Sequence, residues 1–152
     1  MVANNFQNLN AIPLALWARK KTKLNEFREV DFSQIHIAFI GGDDLFLPKK
    51  ISGQVEWLEA DEQRVMCGHQ VDVFYEDGSP SHKHMKFLRS GVGPRQLIQK
   101  GLPFSALSVM VRANRVPAGG FNHALPLVSD GLFFTEILIP TGVYGYIEFM
   151  VI

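Results

Sequence analysis

From residue 35 onward the chain reads as short apolar runs divided by turn-forming residues. The run "IHIAFI" (35–40) is β-branched and aromatic, and "GGDDLFLP" then interrupts it. Apolar and polar residues alternate in "QVEWLE" (54–59), with Val55 and Trp57 on one face, and in "HQVDVFYE" (69–76), with Val71, Val73 and Tyr75 on one face. Successive side chains of a strand point to opposite faces, so this alternation predicts half-buried strands. "HKHMKFL" (82–88) is expected to return along 69–76 after Asp77-Gly78 and Pro80, a connection too long for a two-residue hairpin. "SALSVMVRA" (105–113), "FNHALPLV" (121–128), "LFFTEILI" (132–139) and "YGYIEFMVI" (144–152) complete the set, with "SDG" (129–131) and "PTG" (140–142) read as turns.

Helical signals are fewer. "GVGPRQLIQKG" (91–101) puts Pro94 at a first helical position and Gly101 just past the end. In residues 14–30, Leu14, Trp17, Lys21, Leu24 and Phe27 fall near helical spacing. Residues 1–13, "MVANNFQNLNAIP", carry no charged side chain and read as an extended arm ahead of a single domain over 14–152. About eight strands with few helices between them predict an all-β fold: an antiparallel β-sandwich of jelly-roll type with one or two short helices. The strand-like run ending at Ile152 is expected to be held in a sheet or under a neighbouring subunit.

Composition narrows the class without naming a function. At 152 residues and 47% hydrophobic the chain can bury a core, and its formal charge of +0 gives no overall pull toward nucleic acid or acidic membranes. A single cysteine, Cys67, excludes an internal disulfide and favours an intracellular setting. No apolar run approaches the roughly 20 residues that span a bilayer, and no basic stretch leads into an apolar one as in a secretory leader. The run "RKKTK" places Arg19, Lys20, Lys21 and Lys23 together; removing those four from 15 basic residues leaves 11 against 15 acidic ones. That asymmetry makes the run a candidate contact for nucleic acid or an acidic partner, or else a solvated helix face.

Candidate chemistry centres on histidines. His82 and His84 are two positions apart in "HKHMKFL", so a strand would turn both rings to one face, where neutral imidazole can ligate a transition metal. Together "GSPSHKH" (78–84) and "PAGGFNH" (117–123) resemble the two motifs of the cupin family. That resemblance implies a double-sheet β fold and one transition-metal ion on His82, His84 and His123. Leu88 and Arg89 stand where the family places a glutamate, and His123 lies one residue beyond the family spacing. The alternative leaves the rings in water: Met85 and Phe87 would face the core, and Lys86 would share the histidines' face. His36 reads as a satisfied sheet residue.

"GGDD" (41–44) pairs two carboxylates, but adjacent side chains in a strand diverge, and the stretch reads as a turn. No G-x-S-x-G elbow and no phosphate-binding P-loop motif occurs, and Cys67 beside His69 is a poor nucleophile–base pair. The plan of a charge-free arm before a β body resembles the small jelly-roll proteins of viral and phage particles: minor capsid, cement or decoration subunits. The resemblance implies a non-enzymatic homo-oligomer that contacts copies of itself and other subunits of a virion assembled in the host cytoplasm. Phe6, Leu9 and Ile12, spaced three apart, would then seat the arm on a neighbour. The cupin-like metal protein or metalloenzyme is the competing expectation.

Overall fold

The structure, a computed structural model, describes residues 35–41, 44–84, 89–122, 124–125 and 128–148. The arm at 1–13 with Phe6, Leu9 and Ile12, the basic run Arg19, Lys20, Lys21 and Lys23, Met85 to Leu88 and His123 lie outside them. In chain order the elements are β1 (His36–Ala38), α1 (Lys50–Glu59), β2 (Arg64–His69), β3 (Asp72–Val73), β4 (His82–Lys83), β5 (Gly91–Val92), α2 (Arg95–Lys100), β6 (Met110–Arg112), α3 (Ser129–Ile137) and β7 (Val143–Ile147). Five strands form one sheet in the order β1-β6-β2-β7-β5, and β3 and β4 form a separate ribbon.

The large sheet is mixed. β6 runs antiparallel to both β1 and β2, so β1 and β2 share a direction, while β2 and β7 pair in parallel and β5 is antiparallel to β7. Helices cover both faces. On one face Leu58 of α1 meets Cys67 and Met110, with Trp57, Val55 and Ile51 packed around them. On the other, Phe133, Phe134, Ile137 and Leu138 pack with Met66, Val111, Tyr144, Phe104 and Leu97. The register explains the division: Met66 pairs with Val111 and Cys67 with Met110, so neighbouring pairs face opposite layers.

A sheet-based fold with a few short helices therefore holds, and the helix expected over 91–101 forms over 95–100 between Pro94 and Gly101, while Gly91–Val92 is strand β5. The antiparallel sandwich of about eight strands does not describe these residues. Segment 54–59 is helical, because Lys50, Gln54 and Leu58 are buried at intervals of four, a helical stripe that the alternation of Val55 and Trp57 masked. Segment 132–139 is mostly α3: its β-prone residues are overruled by burying Phe133, Phe134 and Ile137 on one helical face, and "SDG" opens the helix, with Asp130 in the first turn. Residues 121–122 and 124–125 form no strand, and of 105–113 only β6 is extended in the sheet.

Two guanidiniums tie α1 to the sheet. Carbonyls in a helix's last turn lack partners within the helix. Here Arg64 Nη1 donates to Trp57 O (3.1 Å) and Arg112 Nη2 donates to Leu58 O, while Arg112 Nε reaches Arg64 O (2.8 Å). Packing between α1 and β7 is close enough that a methyl group added at Gly145 would run into the Trp57 indole. Gly145→Ala is expected to destabilise the fold by roughly 1–3 kcal/mol. Gly119→Ala, where an added methyl meets nothing within 4 Å, serves as the control in urea unfolding.

Candidate functional site

The carboxyl ends of β1, β2 and β7 share one edge of the sheet, the place where open α/β sheets bind ligands. Just beyond β1 the chain turns. Asp44 N–H donates to Gly41 O (3.3 Å), and Gly41 N–H donates to Asp44 Oδ2 (2.9 Å), which fixes the half-buried carboxylate at this edge. The expected turn at 41–44 is present, and with it the strand-based objection to paired carboxylates falls away. Asp43, the sequence neighbour of Asp44, lies outside the described residues.

Phe39, between β1 and that turn, gathers two further segments. Its ring meets Phe121 (6.2 Å), Phe133 (6.0 Å) and Phe134 (5.6 Å) edge to face, and Phe121 stacks on Phe133 at 4.2 Å. Phe121 belongs to the loop "PAGGFN", in which Gly120 takes φ +61° and its N–H closes a turn onto Pro117 O (2.9 Å). Asp130 precedes Phe133 and Phe134 by three and four positions, so it shares their face of α3 one turn nearer the helix start. Its carboxylate is exposed. The cluster thus joins three segments: the chain that leads from β1 into the Asp44 turn, the loop of Gly119 and Gly120, and α3, which carries Asp130 in its first turn.

Behind the turn stands Lys50. It is 4% exposed; its Nζ donates to Phe39 O (3.3 Å) and Leu107 O (3.2 Å) and sits 3.5 Å from the centre of the Phe46 ring. Burial lowers its pKa to about 8, against the pull of nearby groups that include the Asp44 carboxylate. Alongside, Gln54 Nε2 donates to Ser108 O (2.7 Å), and the Cys67 thiol is wholly buried and pushed up to about 12, chiefly by that burial. A thiol so disposed is no nucleophile at neutral pH. His69 Nδ1–H donates to Gln70 O (2.6 Å), and burial lowers its pKa. His36 is not the satisfied sheet histidine expected: its Nε2 is buried with no hydrogen-bond partner among the described residues, and burial, then Arg112, lowers its pKa.

The histidine pair lies elsewhere. His82 and His84 are both exposed on the β3–β4 ribbon; the His82 ring stacks on Tyr75 (5.9 Å), and His84 N–H donates to Val71 O (2.9 Å). Among the described residues no three His, Cys, Asp or Glu side chains stand together as the cupin resemblance would imply for a protein-only metal site. None of the described helices is long and apolar enough to cross a membrane. Sequence reading singled out the histidines and passed over Asp130, whose signal was a carboxylate at the start of an apolar helical stretch.

Comparison with protein-family models, with curated proteins and with solved structures found no match.

Two outcomes follow. Changing His82 and His84 together to Ala is expected to alter stability by no more than about 0.5 kcal/mol, because both are exposed; urea unfolding checks this. The second concerns pH. Between about 8 and 10.5 the unfolded chain holds a proton on Lys50 that the native state lacks, so stability rises with pH there. Cys67 acts oppositely from 9.0 to about 12, where the unfolded thiol ionises and the native one does not. Stability should therefore climb from pH 8 to 9 and then level off. Lys50→Met removes the climb, and Cys67→Ala extends it, both read from unfolding midpoints across that range.

Proposed function

We propose that the chain carries the donor site of a metal-assisted transferase that uses a diphosphate-linked donor, a nucleoside diphosphate sugar being the class that fits. The observation behind this reading is that Phe39, in the chain leading into the Asp44 turn, packs on Phe133 and Phe134 of α3 at the carboxyl edge of a mixed sheet, which brings the helix bearing Asp130 to that edge. Magnesium-like ions are held by one or two carboxylates together with substrate phosphates, and Asp44 with its neighbour Asp43 supplies that donor set in sequence. Asp130 supplies a separate carboxylate with the character of a general base.

The reaction follows from those roles. An acceptor hydroxyl oxygen forms a bond to the anomeric carbon of the donor. The bond from that carbon to the diphosphate oxygen breaks, and its electron pair leaves on the diphosphate, whose charge a bound cation would offset. The hydroxyl proton goes to Asp130. Phosphoryl transfer is less well supported, because the lysine-bearing phosphate loop of nucleotide hydrolases is absent from the sequence.

A second reading, a homo-oligomeric subunit of a virion or similar assembly, draws support from one feature. Leu45 and Leu47 are 75% and 58% exposed in a single loop, an apolar surface that a neighbouring copy would cover. Light scattering on the full chain and on one lacking residues 1–13 tests it, with equal monomer masses counting against it.

Calorimetry tests the first reading. Uridine and guanosine diphosphates are titrated with and without Mn²⁺; binding of at least one is expected only with the metal. Asp44→Asn should weaken it about tenfold or more, the usual consequence of losing a charged partner. Metal-independent binding, or an Asp44→Asn variant that binds as the parent does, overturns the reading.

A further inference from the structure

Beside the aromatic cluster lies an open groove of about 450 Å³, lined by Pro117, Gly119, Gly120, Phe121, Asn122 and Ala124 on one side and Glu136 on the other. Arg115 holds this arrangement in place. Its Nε and Nη2 donate to Ile137 O (3.3 Å) and Ile139 O (2.8 Å), which clamps the start of the 116–122 segment to the end of α3. Glu136 follows Phe133 by three positions and so stands next to the Phe121–Phe133 stack.

The polar groups of the groove are differentiated. Asn122 Oδ1 accepts from Ala124 N–H (2.9 Å), which orients the carboxamide, and its NH2 group offers two hydrogens that a ligand can use. Glu136 is exposed and, when ionised, only accepts. One face of the Phe121 ring is taken by Phe133, and Phe121, partly exposed, is among the residues that line the groove. A flat apolar surface with one donor and one acceptor at its rim suits a sugar ring, whose C–H face lies on the aromatic ring while its hydroxyls both accept and donate. A phosphate or carboxylate ligand is disfavoured by the Glu136 charge.

We infer that this groove is the acceptor subsite: it binds a sugar hydroxyl acceptor, with Phe121 beneath the ring, Asn122 as donor and Glu136 as acceptor. The inference rests on the donor-site reading for its role in transfer, but the binding it claims needs neither metal nor diphosphate. Saturation-transfer NMR on the full chain tests it, with the methyl glycosides of glucose, galactose, mannose and N-acetylglucosamine as probes and no metal present. At least one is expected to bind in the millimolar range, and Asn122→Asp and Glu136→Gln should each weaken it about tenfold. Thermal unfolding and Mn²⁺-dependent binding of a nucleoside diphosphate should stay at the parent's level in both variants. Glycoside binding lost in the variants sustains the subsite even if no diphosphate binds, an outcome that would remove the donor reading alone. No glycoside saturating well above millimolar concentration, or variants that bind as the parent does, overturns the subsite and leaves the donor reading standing.

Discussion

The aromatic contact between Phe39 and the rings of Phe121, Phe133 and Phe134 sets where everything else in this chain can stand. Edge-to-face ring pairs have preferred separations and angles, so they constrain orientation as well as proximity. Phe39 is bound on its backbone side too, since its N–H donates to Val109 O (3.1 Å) and its carbonyl accepts from Lys50. One residue thereby fixes the exit of β1, the start of the acidic turn, the glycine loop and the first half of α3.

Polar burial completes the same edge. Lys50 and Gln54 lie one helical turn apart on α1 and reach Leu107 O and Ser108 O, so the loop entering β6 is held by side chains from a different layer. Gln54 Oε1 has no partner among the described residues. An unpaired buried acceptor is costly, and such groups concentrate where function overrides stability. The same edge carries the carboxylate of Asp44, whose hydrogen bond from Gly41 holds it against the turn rather than in free rotation.

Local pattern made some of this legible. β1 within 35–40, the turn at 41–44, α2 between Pro94 and Gly101, and β7, which overlaps the expected 144–152 over residues 144–147, follow from residue types and turn chemistry alone. The helices α1 and α3 did not, because a period of two can coexist with buried positions four apart when a polar residue, Gln54, occupies the buried stripe. In α3, β-prone phenylalanines and isoleucine became helical because their burial depends on a strand distant in sequence. The candidate site was hidden for the same reason. Asp44 and Asp130 each looked like a turn residue, and only the Phe39 contacts bring their segments together.

The position of β6 governs how this sheet can be assembled as the chain is synthesised. β1 and β2 are neighbours in sequence order yet never touch as strands, because β6, starting at Met110, is inserted between them. Until Met110 to Arg112 emerge, β1 lacks its pairing partner, and β2, whose other neighbour β7 comes later still, lacks both of its own. A nascent chain that has reached α1 and the β3–β4 ribbon therefore carries β1 without its sheet partner. The sheet closes only when late sequence slots into an early gap, an order of events that places loop-closure entropy, rather than helix formation, in control of the folding rate.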